Sequence, residues 1–526
     1  MYKLRGRRSS KLKARTLLII VLLIGLSFCL FFFFKKDTLK NKVTKNKFDL
    51  KFDASVTQAE KDKISEVFKE QKINLNSDIT VSVKTQDTAD NPSKVIAVYV
   101  LTTGLYSPNQ SVKNEELVNS QVEVSSEINP DVVPEIAKFL NINQEKITCS
   151  NNLDLNSTKV KIMPIDELTA KQKLLAFNQQ YYLDSFTSGA IFRVVNFAGE
   201  GLAQLDNLKF IENLSKDNIY KVNMSGVTAL TRLMLRKLNQ VNDPLYFSYK
   251  IGSFLADADL THISNEVSFK PDCQYNDAVF CSDPRFIETI KASGVDLVEL
   301  TGNHNNDVGR QFNTDTINLY HSLGLQTFGG GLNLDEAKKF YIADTKGSKV
   351  AFLGYNRADS PAGGAIATSD SAGANPFDFD NIKNDIQTAK QQAQFVIVDV
   401  QYNECYAYPD GYLEFPICNL PIVGQQETFR KLIDLGADMV IGTQAHQPQI
   451  YEQYKDKMIY YGLGNLYFDQ TQWPGTERGI ILTHYFKQGK LLQTKLTPTE
   501  YNETLQTSKM EPAKAQALLE FINKSR

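Results

Sequence analysis

Five histidines, one tryptophan and six cysteines in 526 residues leave little material for imidazole-rich or disulfide-dense chemistry. Neither sign of charge dominates: 58 Lys and Arg face 60 Asp and Glu, a formal charge of -2. A nucleic-acid partner calls for a concentrated basic face, so no nucleic acid is expected. Seventeen prolines and 29 glycines exclude a collagen-like chain. Hydrophobic residues at 42% and charged residues at 22% exclude wholesale disorder. At roughly 150 residues per unit, about two or three folded units are expected.

Long apolar runs are absent with one exception. Leu17 to Phe34 (LLIIVLLIGLSFCLFFFF) carries no charge. As a helix it covers about 27 Å, close to a hydrocarbon core of roughly 30 Å. A cleaved signal peptide has a shorter apolar region and a small-residue cleavage site, whereas Phe31 to Phe34 run directly into Lys35 and Lys36. The expectation is a retained single-pass membrane anchor over 16–36, behind a basic cytoplasmic tail over 1–15 and ahead of a linker over 37–50. Basic residues flank both ends, so the positive-inside bias is slight. The later domains are expected outside the cytoplasm, at the cell membrane. Cys273 with Cys281, and Cys405 with Cys418, lack C-x-x-C spacing. They read either as two local disulfides of an oxidising exterior or as unpaired buried thiols.

Residues 51–217 read as a first α/β unit. Ala59 to Gln71 has helical spacing, DITVSVK from Asp78 and KVIAVYVL from Lys94 read as strands, and Pro130 to Phe139 reads as a helix. The unit has no His and an isolated Cys149, so it is a structural spacer or a small ligand-binding domain. Residues 218–500 form a second unit, followed by a helix or tail over 501–526. Here apolar strands such as DLVELT (from Asp296), FVIVDV (from Phe395) and MVIG (from Met439) are each followed by polar clusters, the position where α/β folds gather ligand sites.

The clusters carry a resemblance. GNHNNDVG from Gly302, GGGLNLDEA from Gly329, LIDLGADMVIGTQAH from Leu432, IYYGLGNLYF from Ile459 and DLTHISNEV from Asp259 resemble the CapA proteins, the poly-gamma-glutamate or capsule synthesis family. The resemblance covers about 220 to 490. It implies an α/β/β/α sandwich similar to calcineurin-like metallophosphatases, preceded here by the smaller α/β domain and the transmembrane helix. It also implies a role with an anionic surface polymer, polyglutamate or polysaccharide, beside other capsule-synthesis proteins.

In the resemblance, Glu266 stands at a bridging-acid position, Asn303 at an amide ligand, His304 at the general acid and His446 at an imidazole ligand. Two-metal hydrolases hold ions about 3.5–4 Å apart and attack phosphorus with a bridging hydroxide. The departures are Val227 for an Asp, Gln401 in place of a His motif and Gln444 for a His. Gln is a poor ligand for zinc or manganese and Val is none. The standard dinuclear site is therefore not expected; one divalent metal, or a substrate held directly, remains open. Arg232, Asn265, Asn306, Gln401, Glu404 and Gln444 are the candidate substrate contacts. Arg232 also fits an exposed helix face, Asp307 fits a cap on the following helix, Asn465 fits a turn, and His262, His321 and His484 fit structural or surface roles. Two functions follow: a polymer-binding CapA-like protein acting in synthesis, export or anchoring, or a metal-dependent hydrolase or transferase with His304 and Glu266 as catalytic groups.

Overall fold

The computed structural model describes residues 49–73, 77–212, 214–357, 364–402 and 424–524. Its architecture is mixed α/β. The expected membrane helix over 16–36 falls outside the described residues. Among those described, no helix is long and apolar enough to cross a membrane, so the fold of the described residues is corrected to α/β sheets without a spanning helix.

The N-terminal part is built on a sheet that runs from Leu50–Phe52 to Ile147–Cys149, with Ser188–Ala198 and Val95–Gly104 adjacent near its centre. Helix Gln58–Glu70 starts where a reciprocal cap forms: Thr57 accepts from the Glu60 amide, and the Glu60 carboxylate accepts from the Thr57 amide. Its apolar stripe of Ile64, Val67 and Phe68 is buried. Glu60 also takes the buried Arg193 guanidinium, with Nε at 2.7 Å from Oε1 and Nη2 at 2.8 Å from Oε2, which ties the helix start to the sheet.

From Tyr220 onward two sheets lie face to face. The first places Gln326–Phe328, Leu297–Glu299, Leu260–Asn265 and Tyr220–Thr228 side by side and parallel, then turns antiparallel through Arg478–Lys487, Lys490–Glu500 and Ser508–Lys509. The second places Ser348–Asn356, Phe395–Gln401, Met439–Gly442 and Lys457–Tyr460 parallel, flanked by Tyr341–Thr345 and Tyr451–Tyr454. Phe395–Gln401 and Met439–Gly442 are buried end to end and Ser348–Asn356 at every position but Lys349, as expected for strands covered on both faces. Met224, Leu260, Leu297 and Phe328 of the first sheet share one core with Val350, Phe352, Val396 and Ile397 of the second. Ile386 and Leu432, from helices Phe379–Lys390 and Gln425–Asp434, join that core; Leu235 and Ile317, from Arg232–Val241 and Arg310–Ser322, pack in a separate core with Ile263 and Val298. The order of layers is thus helix, sheet, sheet, helix. The last helix, Pro512–Lys524, sinks Leu518, Leu519 and Ile522 into the same core.

The two parts touch through specific bonds. The Gln493 side chain accepts from the Leu174 amide at 3.0 Å and donates to the Thr169 and Gln172 carbonyls. The Asn523 amide group donates to the Tyr106 carbonyl at 2.6 Å.

Candidate functional site

Four strand ends converge, two from each sheet. Glu266 follows Leu260–Asn265, Asn303 lies beyond Leu297–Glu299, Gln401 closes Phe395–Gln401, and Gln444 lies just past Met439–Gly442. The Gln401 amide joins them: its Nε2 donates to Glu266 Oε1 at 2.8 Å, to Asn303 Oδ1 at 3.3 Å and to Gln444 Oε1. Thr443 Oγ1 donates to Gln401 Oε1 at 3.1 Å and sets the orientation of that amide. One NH2 has two hydrogens for three acceptors, so the contacts compete. Glu266, Gln401 and Gln444 are buried, while Asn303 is half-buried. The Gln444 Nε2 is buried and has no hydrogen-bond partner among the described residues. Leaving such a donor unmet costs about 1–3 kcal/mol, which an incoming oxygen acceptor would recover. Gly302 makes the approach possible, since a Cβ there would collide with Glu266 Cα.

The two histidines stand against an aromatic wall. The His304 ring lies 4.3 Å from the Phe280 ring, Phe280 lies 6.2 Å from Phe468, and Phe468 lies 5.2 Å from His446, all between centroids. Asp307 Oδ2 sits 2.7 Å from His304 Nδ1 and also accepts from the Phe280 amide at 2.9 Å. Asp307 therefore does not cap the next helix: that helix begins at Arg310 behind Gly309, with no side-chain cap. Asn465 Oδ1 sits 2.9 Å from His446 Nδ1, so Asn465 orients the imidazole besides fixing its loop through Thr476. Val227 packs with Phe280 and Phe468, which explains its apolar character.

Several predicted contacts are spent elsewhere. Arg232 is buried, not on an exposed face: its guanidinium lies over Phe468 and Phe280, its Nη2 donates to the Asp469 carbonyl and its Nε is 3.7 Å from Asp469 Oδ2. Burial pushes the Asp469 carboxyl up to about 6, although Arg232 pulls it down. The Asn306 amide donates to the Gly364 and Ala372 carbonyls and its oxygen accepts from Asn313, so it ties loops together. Asn265 donates to the Val267 carbonyl at 2.7 Å. Glu404 lies outside the described residues, as do Cys405 and Cys418; Cys273 and Cys281 form a disulfide.

A second set of ionisable groups was not anticipated. His262 Nε2 is 3.1 Å from Asp399 Oδ2, both fully buried, and Glu299 is buried beside them. Burial first, and then the Asp399 carboxylate, raise Glu299 well above the ordinary carboxylate range. Burial lowers the His484 imidazole to about 3, with His262 adding to the effect. Thus His262 and His484 are structural but not superficial, whereas His321 is exposed and bonded to Thr327. The signal was present in the strands: a carboxylate inside an otherwise apolar run, as in DLVELT and FVIVDV, is a burial anomaly.

The donor set does not fit a dinuclear transition-metal centre. Val227 belongs to an apolar cluster, two positions hold amides, and the Gln401 N–H groups point at oxygens a cation would need. Among the described residues no three His, Cys, Asp or Glu are grouped to hold a metal ion.

Residues 221–470 match the family model described as bacterial capsule synthesis protein PGA_cap. The chain is similar to the "Capsule biosynthesis protein CapA" of Bacillus anthracis, 27% identical over 41% of this chain and 50% of that one. It is also similar to the "PGA biosynthesis protein CapA" of Bacillus subtilis, 24% identical over 64% of this chain and 87% of that one. The match thus spans half the length of the first relative. With the family's motifs in order on these strand ends, the segment 221–470, just under half of this chain, is similar to the bacterial capsule synthesis proteins.

Proposed function

We propose that this protein serves the synthesis, export or anchoring of an anionic capsule polymer of the polyglutamate type, outside the cytoplasm and beside other capsule-synthesis proteins. The strand-end pocket of Glu266, Asn303, Gln401 and Gln444 holds the polymer by its amides. The observation that carries this reading is the buried Gln444 Nε2, a donor that meets no acceptor among the described residues. A peptide carbonyl or carboxylate oxygen is the acceptor it suits. The names of the capsule relatives support the choice of polymer. The Cys273–Cys281 disulfide supports an oxidising compartment. In a polymer-producing strain lacking the protein, wild type restores surface polymer and Gln444→Leu, present at equal level, does not. Full restoration by Gln444→Leu would reject the pocket.

A second reading, a hydrolase or acyl transferase on an envelope substrate, draws on the His304–Asp307 contact of 2.7 Å. A carboxylate that fixes one imidazole nitrogen readies the other for acid–base work. His304-dependent hydrolysis of a generic phosphodiester or a γ-glutamyl amide, lost in His304→Ala, would establish it; equal turnover in both would reject it.

A further inference from the structure

A cavity of about 640 Å³ opens where the N-terminal part meets the antiparallel edge of the second unit and the last helix. None of its lining residues belongs to the strand-end pocket. Three lysines line it, Lys173 from one part and Lys495 and Lys509 from the other, and no Asp or Glu does. Its remaining wall includes Tyr181, Met510 and Phe254. Such a volume suits a small ligand or a short stretch of polymer.

The charge in it is under-compensated. Lys173 is buried, and among the described residues its ammonium donates to the Ser107 carbonyl. Burial, with no carboxylate offsetting it, brings this amine down to about 7. Lys495 lies 2.7 Å from Asp184 Oδ2, but Asp184 also serves Lys221 at 2.9 Å through its other oxygen. Lys509 lies 4.3 Å from the Phe254 ring centre, and burial and then Lys495 lower its amine. Two carboxylates, Asp184 and Asp257 at 2.9 Å from Lys221, stand near four lysine amines, which leaves a net positive cavity that attracts anions.

The cavity is also not closed at one end. A second cavity of about 470 Å³, lined by both Lys159 and Glu116, shares Asn109, Ser111 and Gln516 with it. A free phosphate would fill neither the length nor the apolar wall. From lysines on both sides of the junction, aliphatic and aromatic wall and elongated shape, we infer that this cleft binds an anionic oligomer whose carboxylates are spaced along an aliphatic chain, gripping it away from the strand-end pocket. The location rests on the lining alone; the choice of carboxylates over other anions rests on the proposed function. Bound there, the ligand bridges the two parts of the molecule. Its methylene spacers lie on Met510 and Phe254 while its carboxylates meet Lys173, Lys495 and Lys509.

The test is fluorescence anisotropy of a fluorescein-labelled γ-linked hexaglutamate titrated with the full chain at neutral pH and moderate salt. Saturable binding is expected, weakened at least tenfold in Lys509→Glu and in Lys173→Met, and unchanged in Lys349→Glu, an exposed lysine outside the cleft. Lys509 is exposed, so its variant keeps the fold, and an unaltered melting curve verifies this. No saturable binding, or wild-type binding by both lysine variants, overturns the inference. Displacement by inorganic phosphate as effective as by unlabelled hexaglutamate also overturns it, because the site would then be one for small anions. If the strand-end reading fails, Gln444→Leu restores surface polymer in cells while the lysine effects on hexaglutamate persist. The two failures are therefore distinguishable.

Discussion

Gln401 and Glu266 lie 135 residues apart and on different sheets, yet the Gln401 amide donates to the Glu266 carboxylate at 2.8 Å. This bond crosses the sandwich at the ends of its parallel strands, with both side chains buried. The same amide reaches Asn303 and Gln444. Where the resemblance implies imidazole and carboxylate ligands, this chain closes the gap with an amide hydrogen bond.

Removal of that amide should register in stability before function. Gln401→Leu withdraws a donor from three oxygens at once, one of them a carboxylate. A loss of about 2–3 kcal/mol is expected, since hydrogen bonds to charged groups and unmet buried acceptors lie in that range. Urea denaturation of the variant and wild type measures it; a change under about 0.5 kcal/mol, the scale of a neutral surface substitution, would refute the joining role.

Arg232 and Asp469 form a buried pair, and breaking one side strands the other. Arg232→Leu is expected to cost about 3–5 kcal/mol, and Arg232→Leu with Asp469→Asn distinctly less. Asp469 is pushed up to about 6 in the fold, above its ordinary value of 3.8. A raised carboxyl means the folded state holds its proton more tightly, so this stabilisation is complete below the ordinary value and fades as pH rises toward about 6. Asp469→Asn should remove that fade between about pH 4 and 6, as read by melting temperature against pH.

Glu299 carries the same sign further up the scale. Burial and the Asp399 carboxylate hold its proton on well above the ordinary range. Its contribution is present at low pH and lost as pH climbs through the raised value. Glu299→Gln, a neutral mimic, should therefore cost little near pH 5 and become stabilising relative to wild type on the alkaline side. The expected slope is at most about 1.4 kcal/mol per pH unit. A parallel pair of stability curves would show that Glu299 does not titrate in this range.

Val227 and Gln444 stand where the resemblance places an Asp and a His. Val227→Asp alone buries a carboxylate in the apolar cluster of Phe280 and Phe468 and should lower stability by several kcal/mol, roughly the penalty of an unpaired buried charge. Val227→Asp with Gln444→His should regain part of that loss when Mn2+ is added, while wild type melts at the same temperature with and without it. No Mn2+ effect on the double variant would mean that these two positions do not face one site.

Much of the second unit was legible because buried parallel strands write themselves as short apolar runs. FVIVDV marks Phe395–Gln401 and MVIG marks Met439–Gly442, each within a residue of its end. The helix read from Ala59 to Gln71 stands at Gln58–Glu70, since its cap and stripe are local. The antiparallel strands Arg478–Lys487 and Lys490–Glu500 were less visible, as polar residues such as Thr483 and Gln493 are buried inside them through tertiary bonds.

The amino-acid sequence by itself determined that acid, amide and imidazole groups follow successive strands, because strand periodicity and motif order are local properties. The resemblance it carries implies that Val227, Gln401 and Gln444 stand where a metal-binding pattern has an Asp and two His. Only the tertiary structure decided which of those groups share a space. Glu266, Asn303, Gln401 and Gln444 meet, Asn306 and Asn265 turn to nearby carbonyls, and Arg232 buries itself against Asp469. The reason is physical: where a side chain at a strand end points depends on the register of two sheets and the path of the loops between them, and neither is a property of neighbouring residues.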